Sequence, residues 1–289
     1  MTVQEKAYAK LNLTLDVTGK REDGYHDMLM VMQTVSVKDD LVLELLDEPG
    51  IQAVCTLRYI PTDGRHLAVR AAETFLRAIG EEGRGVSVRL KKQIPVGAGM
   101  AGGSADAAAV LRGMNRLFGC PFQRPGLEKL AEEVGSDVAF CIAGGTALAK
   151  GRGEQLEDLD PMPCCRLVIC KPSFSISTPE LFRKLDQVNL RRHPDTGGML
   201  AALRDGDLRE AAIRMYNVFE ETDDRRMRTI AEIKNTLLDY GALGAVMTGT
   251  GSAVFGVFQE EQAAADCTER LAAEYRFCRN AEPVGRLKI

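Results

Sequence analysis

Histidine is scarce: His26, His66 and His193 are the only three in 289 residues, too few for a histidine-rich metal centre. The eight cysteines, at positions 55, 120, 141, 164, 165, 170, 267 and 278, include no C-x-x-C pair and none stands beside a histidine. They read as reduced, mostly buried small hydrophobes, which leaves out a disulfide framework and a zinc site. An excess of charge of one sign is also missing. Lys and Arg number 37 against 41 Asp and Glu, a net charge of -4, so no electrostatic footprint for nucleic acid or an anionic membrane is present. Any anionic ligand must be met by local groups. There is no charged-then-apolar leader and no apolar run long enough to span a bilayer, and a cytoplasmic location is expected. Internal repeats and low-complexity tracts are absent as well.

What is present is 45% hydrophobic residues over a length that suits one large domain or two ordinary ones. Residues 6–18, KAYAKLNLTLDVT, alternate, with Leu11, Leu13 and Leu15 on one face and Lys10, Asn12 and Thr14 on the other, the pattern of a half-buried strand. REDGYHDM carries an Asp-Gly turn signal, and VMQTVSV and DLVLELL read as further strands. Leu67, Ala71, Ala72, Phe75, Leu76 and Ile79 recur at helical spacing, and VSVRLKKQI returns to strand alternation. Ala107, Val110, Leu111, Met114 and Leu117 form the stripe of a helix beginning near Ser104, an N-cap candidate. After a short helix at LEKLAEEV, the stretch GSDVAFCIAGGTALAKGRGE reads as a strand, a Gly-Gly turn and a second strand.

LEDLDPMPCC, with two prolines, is the expected boundary between domains at 1–160 and 161–289. Beyond it the spacing predicts a strand at RLVICK, helices near 178–186, 207–221 and 223–239, a strand pair around AVMTGTGSAVFGVF, a helix at 260–275 and a strand near RFCRNAEPV. That order suggests a split β-α-β, α+β second domain.

The segment PVGAGMAGGSADAA, residues 95–108, sets four glycines between a strand and a helix. Gly97 to Gly102 has the spacing of a Walker loop, but Gly103 stands where the lysine belongs. Gly97, Gly99 and Gly102 satisfy G-x-G-x-x-G, yet the helix is followed by CPFQRPG and more helix, without the second strand and acid of a dinucleotide fold. The physics that survives is simpler: glycines let backbone N–H groups converge on an anion, and a helix N-terminus adds its positive dipole end. A tight strand-to-helix turn would use the same glycines, and Asp106 is equally consistent with dipole compensation. Phosphoryl transfer would further need a cation and a proton acceptor outside the loop. Lys10 is either a solvated edge lysine or that cation. Asp137 is either a turn or N-cap residue or a site carboxylate.

Several separate segments then agree. PVGAGMAGGSADAA resembles the second motif of the GHMP kinases, and AKLNLTLDVTGKREDGYH, GSDVAFCIAGGTALAKGRGE, SISTPELF and MTGTGSAVFG are similar to the branch of that family that acts on a cytidine-diphosphate-linked erythritol in non-mevalonate isoprenoid synthesis. The resemblance runs in order over nearly the whole chain. It implies an α+β, two-domain GHMP kinase fold: an N-terminal domain like domain 2 of ribosomal protein S5 and a ferredoxin-like C-terminal domain, with the cleft between them. ATP with Mg2+ and a small-molecule acceptor carrying a cytidine diphosphate are the implied ligands, in a monomer or weak homodimer that binds neither nucleic acid nor membrane. A mevalonate- or homoserine-type acceptor is the alternative.

In such kinases the lysine of AKLN and the aspartate of G-[SA]-D-V are the catalytic pair, here Lys10 and Asp137. The resemblance assigns the nucleotide to Pro95, Val96, Gly97, Ala98, Gly99, Met100, Ala101, Gly102, Gly103, Ser104 and Ala105. It assigns the cytidine pocket to Asn12, Tyr25, His26, Thr178 and Phe182, with Tyr25 and Phe182 sandwiching the base and His26 bonding its edge. Thr248, Gly249 and Gly251 of TGTGS would close over the substrates, although a glycine-rich hairpin turn reads the same. The chain departs from the family in four places. Ala101 stands where Gly is frequent and does not freely adopt a positive φ. Ala105 replaces a second serine, Ala139 a proline, and His66-Leu67 an Asn-Leu pair.

Overall fold

The computed structural model describes residues 1–289. Two long antiparallel strands, β1 (Thr2–Lys20) and β2 (His26–Leu46), form the spine of the first sheet. Three irregularities in their register, between Tyr8 and Lys10, Asn12 and Thr14, and Val17 and Gly19, bend the pair. β3 (Gly50–Cys55), α1 (Leu67–Ile79) and β4 (Gly85–Lys91) follow, giving the order β3-β4-β2-β1. α2 (Gly102–Leu117), α3 (Arg124–Val134) and α4 (Val138–Ala143) lead to β5 (Thr146–Gly151), which pairs with β2, and β6 (Gln155–Asp158).

The second sheet contains β7 (Arg166–Lys171), and α5 (Thr178–Leu185), α6 (Thr196–Arg204) and α7 (Leu208–Ile213) come next. β8 (Tyr216–Asn217), a 3-10 turn at Val218–Glu221, α8 (Met227–Asp239), β9 (Gly244–Met247), β10 (Val254–Phe258), α9 (Glu261–Ala272) and β11 (Phe277–Ala281) complete the chain. The sheet order is β11-β7-β10-β9, all antiparallel. Counted within this sheet it is 4-1-3-2 with crossover helices α8 and α9, the split β-α-β, ferredoxin-like arrangement expected. The short β8 pairs in parallel with β1 at Thr14 and Leu15 and so ties the later part of the chain to the first sheet.

Four expectations need correction. β1 is not half-buried: Lys10, Asn12 and Thr14 are as buried as the leucines. α2 packs against the strand, and the 95–103 loop and Thr248 also reach it, through the Lys10 N–H to the Met100 carbonyl and the Asn12 N–H to Thr248 Oγ1. The run VAFCIA is helical, not a strand, because a short apolar run has no period that separates the two. The helix expected over 207–221 stops at Ile213, and Tyr216–Asn217 leaves to pair with β1.

The fourth concerns α2, which starts at Gly102 with Ala101 at its N-cap; Ser104 is inside the helix and caps nothing. Ala101 adopts φ 55, the left-handed region an alanine disfavours. α2 is also buried nearly all round, Arg112 and Asn115 included. Arg112 spends its guanidinium on the carbonyls of Cys141 at 2.7 Å and Lys6 at 2.8 Å, which is what permits a charge there.

Candidate active site

A cavity of about 1100 Å³ opens between the glycine loop, the start of β2, α5 and the β9–β10 connection. Every residue from Pro95 to Ser104 borders it. Ala105 does not; it is enclosed in α2.

The loop is held by backbone against backbone. Gly99 has φ +74, and a Cβ there would lie 2.0 Å from the Thr248 carbonyl oxygen. Gly249, with φ +58, would bring its own Cβ within 2.9 Å of the Gly99 carbonyl oxygen. The Ala253 N–H donates to the Ala98 carbonyl at 3.1 Å, and the Lys10 N–H to the Met100 carbonyl at 3.2 Å. TGTGS is thus a hairpin connection and a wall of the cavity at once. Asn217 on β8 donates from Nδ2 to the carbonyls of Met247 at 2.7 Å and Gly249 at 2.8 Å, bracing that wall from behind. Lone asparagines carry no sequence signal for such a role.

Lys10 borders the cavity although its residue is only 4% exposed. Its Nζ donates to Asn12 Oδ1 at 2.7 Å and lies 3.5 Å from Asp137 Oδ2. A solvated edge lysine is thereby excluded. Asp137 occupies the N-cap position of α4, yet its side chain accepts no capping hydrogen bond, which leaves the carboxylate turned to Lys10 and the cavity. Asn12 and Thr248 stand one layer back. The Asn12 N–H donates to Thr248 Oγ1 at 3.0 Å, so both hold Lys10 and the loops in place without bordering the cavity.

At the other end, Phe182 of α5 stacks on His26 with ring centroids 4.7 Å apart and 25° between planes. It meets Phe219 edge-on at 4.9 Å. His26 Nε2 lies 2.7 Å from Asp186 Oδ1, and Lys20 reaches the other oxygen at 2.5 Å. The hydrogen bond from Lys20, and after it the one with the His26 ring, hold the Asp186 carboxyl below its ordinary range. Tyr25 is 53% exposed with the Arg152 guanidinium 4.0 Å over its ring. The expected sandwich therefore differs in this state: His26, not an open slot opposite Tyr25, covers the face of Phe182. Thr178 Oγ1 and Thr250 Oγ1 lie 2.8 Å apart, linking α5 to the second loop. Asp186 went unnoticed in the sequence, though it stands four residues after Phe182, one helical turn on.

A glycine loop at a helix N-terminus, a buried lysine 3.5 Å from a carboxylate and an aromatic recess, all on one cavity of a two-domain α+β fold, have the layout of a site for group transfer between two small molecules. The comparisons with known proteins agree with that class. The description GHMP kinases N terminal domain matches residues 66–145, and GHMP kinases C terminal matches residues 199–276. The 4-diphosphocytidyl-2-C-methyl-D-erythritol kinase of Caldicellulosiruptor saccharolyticus is 41% identical over 266 residues, 92% of this chain and 91% of the relative. That of Clostridium kluyveri is 41% identical over 271 residues, 94% of this chain and 96% of the relative. A crystal structure of a 4-(cytidine 5'-diphospho)-2C-methyl-D-erythritol kinase superposes with a TM-score of 0.82 at 32% identity, covering 98% of this chain and all, 100%, of the other. The homoserine kinase of Cytophaga hutchinsonii, at TM-score 0.77 and 20% identity with 98% and 95% coverage, shares the fold. The chain belongs to the GHMP kinase family. No helix is long and apolar enough to cross a membrane.

Proposed function

We propose that the chain transfers the γ-phosphate of ATP to the 2-hydroxyl of 4-diphosphocytidyl-2-C-methyl-D-erythritol, a step of non-mevalonate isoprenoid precursor synthesis. The observation that carries this reading is the Lys10–Asp137 contact at 3.5 Å, on a cavity that has the glycine cradle and the His26–Phe182 recess as its two ends. The ATP phosphates would lie on the N–H groups of residues 97–103 and the dipole end of α2. The cytidine would lie among Tyr25, His26 and Phe182, after His26 or Phe182 yields the ring face the base needs. Asp137 accepts the proton of the attacking hydroxyl, and that oxygen bonds to the γ-phosphorus as the bond to the β,γ-bridging oxygen breaks, releasing ADP. Lys10 stabilises the developing alkoxide and orients Asp137. Asn12 is best read as the residue that aims Lys10. Magnesium would enter on the nucleotide, since no group of three or more His, Cys, Asp or Glu side chains is arranged to hold an ion.

On this reading residues 1–160 supply the cradle and the catalytic pair, and residues 161–289 supply α5 and the second loop, in a cytoplasmic monomer or weak homodimer. A panel of acceptors with ATP and magnesium tests it. ADP should form with the cytidine-linked erythritol and not with mevalonate or homoserine; turnover of either of the latter in preference overturns the acceptor assignment.

A further inference from the structure

Beneath the glycine loop lies a charged cluster that the proposed reaction leaves without a role. Lys92, one residue beyond β4, places Nζ 2.5 Å from Asp39 Oδ2 on β2, 2.5 Å from Asp106 Oδ2 on α2 and 3.5 Å from the Gly102 carbonyl oxygen. The three side chains are 3%, 0% and 0% exposed in the order Lys92, Asp39, Asp106. Their elements are the strand that enters the loop, the helix that leaves it and the strand between them and β1. Lys92 and Asp106 both border the cavity.

The charges do not balance. Two carboxylates around one ammonium leave a net negative charge in a buried site, and such a site gains by taking up a proton. Hydrogen bonding decides which carboxyl takes it. Asp39 Oδ1 accepts from the Ile94 N–H at 2.8 Å and from the Gln93 N–H, and its Oδ2 accepts from Lys92. Three donors stabilise a charge there. Asp106 has Lys92 at Oδ2 alone, while its Oδ1 is buried without any partner.

We propose that Lys92, Asp39 and Asp106 are positioning residues for the nucleotide phosphates: they join the two ends of the loop around one proton carried on Asp106, which keeps the floor of the anion cradle neutral. The proposal rests on reading the loop as the ATP cradle. Burial is the main cause that pushes the Asp106 carboxyl up to about 8, with Lys92 opposing and Asp39 reinforcing. Around it stand His66 at the start of α1, Cys141 on α4 and Arg112 further along α2. Burial and Lys92 hold His66 below its ordinary value, and burial pushes the Cys141 thiol up to about 12, so neither changes charge between pH 7 and 9. Asp106 does. Its ionisation would set a negative charge under the phosphates.

Two measurements test this. In the native protein the KM for ATP should rise about threefold or more between pH 7 and 9 while the KM for the acceptor stays level, as like charge is added beneath an anion. Asp106→Asn should flatten that rise, and Lys92→Met should raise the KM for ATP about tenfold across the range, because the Asp39 charge is then left buried and unpaired. Superposable pH profiles for the native chain and Asp106→Asn, or equal damage from Asp106→Asn and Lys92→Met at pH 7, overturn the proposal. Independently of turnover, the infrared carbonyl stretch of a protonated carboxylic acid should be present in the native protein at neutral pH, absent in Asp106→Asn and retained in Lys92→Arg. Absence from the native protein overturns the proton on Asp106. A chain with that band but no turnover of the cytidine-linked acceptor would instead contradict the functional reading and leave the cluster standing.

Discussion

At one end of the cavity Gly99 and Gly249 set backbone against backbone; at the other Tyr25, His26, Phe182 and Asp186 set side chain against side chain. The end proposed for the nucleotide excludes an added Cβ at Gly99 and Gly249 and has buried charges beneath it. The acceptor end is more open and its groups come from the β1–β2 turn, from β2 and from α5, so its selectivity depends on which rings and charges are present. On the proposed reading the glycine end meets ATP, which is common to many kinases, with backbone that recognises what all its users share. An acceptor is particular, and side chains recognise that.

The largest expected effect falls between the two ends. Asp137→Ala should lower kcat by about 10³, and Lys10→Ala by a similar amount, with both KM values changing little, as for loss of a general base and its partner. Steady-state kinetics beside circular dichroism would decide. Native kcat in both variants would remove the pair from the mechanism.

Gly99→Ala comes next and strikes the backbone end alone. The new methyl would need the space 2.0 Å from the Thr248 oxygen at a φ of +74, so strain of about 2–3 kcal/mol or displacement of the second loop should follow. Calorimetry of nucleotide binding and denaturant unfolding should both report it, while the affinity for cytidine diphosphate stays near native. Equal loss of both ligands would show that the ends are not independent. Phe182→Ala is the reciprocal test. It should raise the KM for the acceptor about 10- to 100-fold, the worth of one base–aromatic stack, and leave the KM for ATP in place.

The backbone end was also the legible one. Glycine spacing between a strand and a helix is a local pattern, and PVGAGMAGGSADAA marks the strand, loop and helix that border the cavity before any fold is known. Alternation along β1 correctly separates Lys10 and Asn12 from the leucines, but alternation records polarity and says nothing of what covers the polar face. The His26–Asp186 contact spans 160 positions and Lys92–Asp39 spans 53, and no period links residues that far apart. VAFCIA and residues 207–221 were misread for a different reason: short segments take the structure that tertiary contacts impose, here the packing of α4 and the pairing of Asn217 with Leu15.

Ala101 offers the smallest and most local way to sharpen the contrast. It caps α2 from the left-handed region, φ 55 and ψ 32, with no side-chain hydrogen bond to the helix. Its methyl contributes nothing to a backbone cradle that a hydrogen atom would not. An alanine held there costs about 1–2 kcal/mol relative to an unstrained conformation, and a glycine gives back part of that as lost chain entropy. Ala101→Gly should therefore stabilise the fold by up to about 1 kcal/mol, a rise of about 2–4 °C in Tm if unfolding is two-state, without weakening nucleotide binding. A lower Tm would mean that the methyl, partly buried against the core, packs better than its backbone strain costs. In that case the nucleotide end depends on a side chain after all, and the division between the two ends of the cavity is less complete than its geometry indicates.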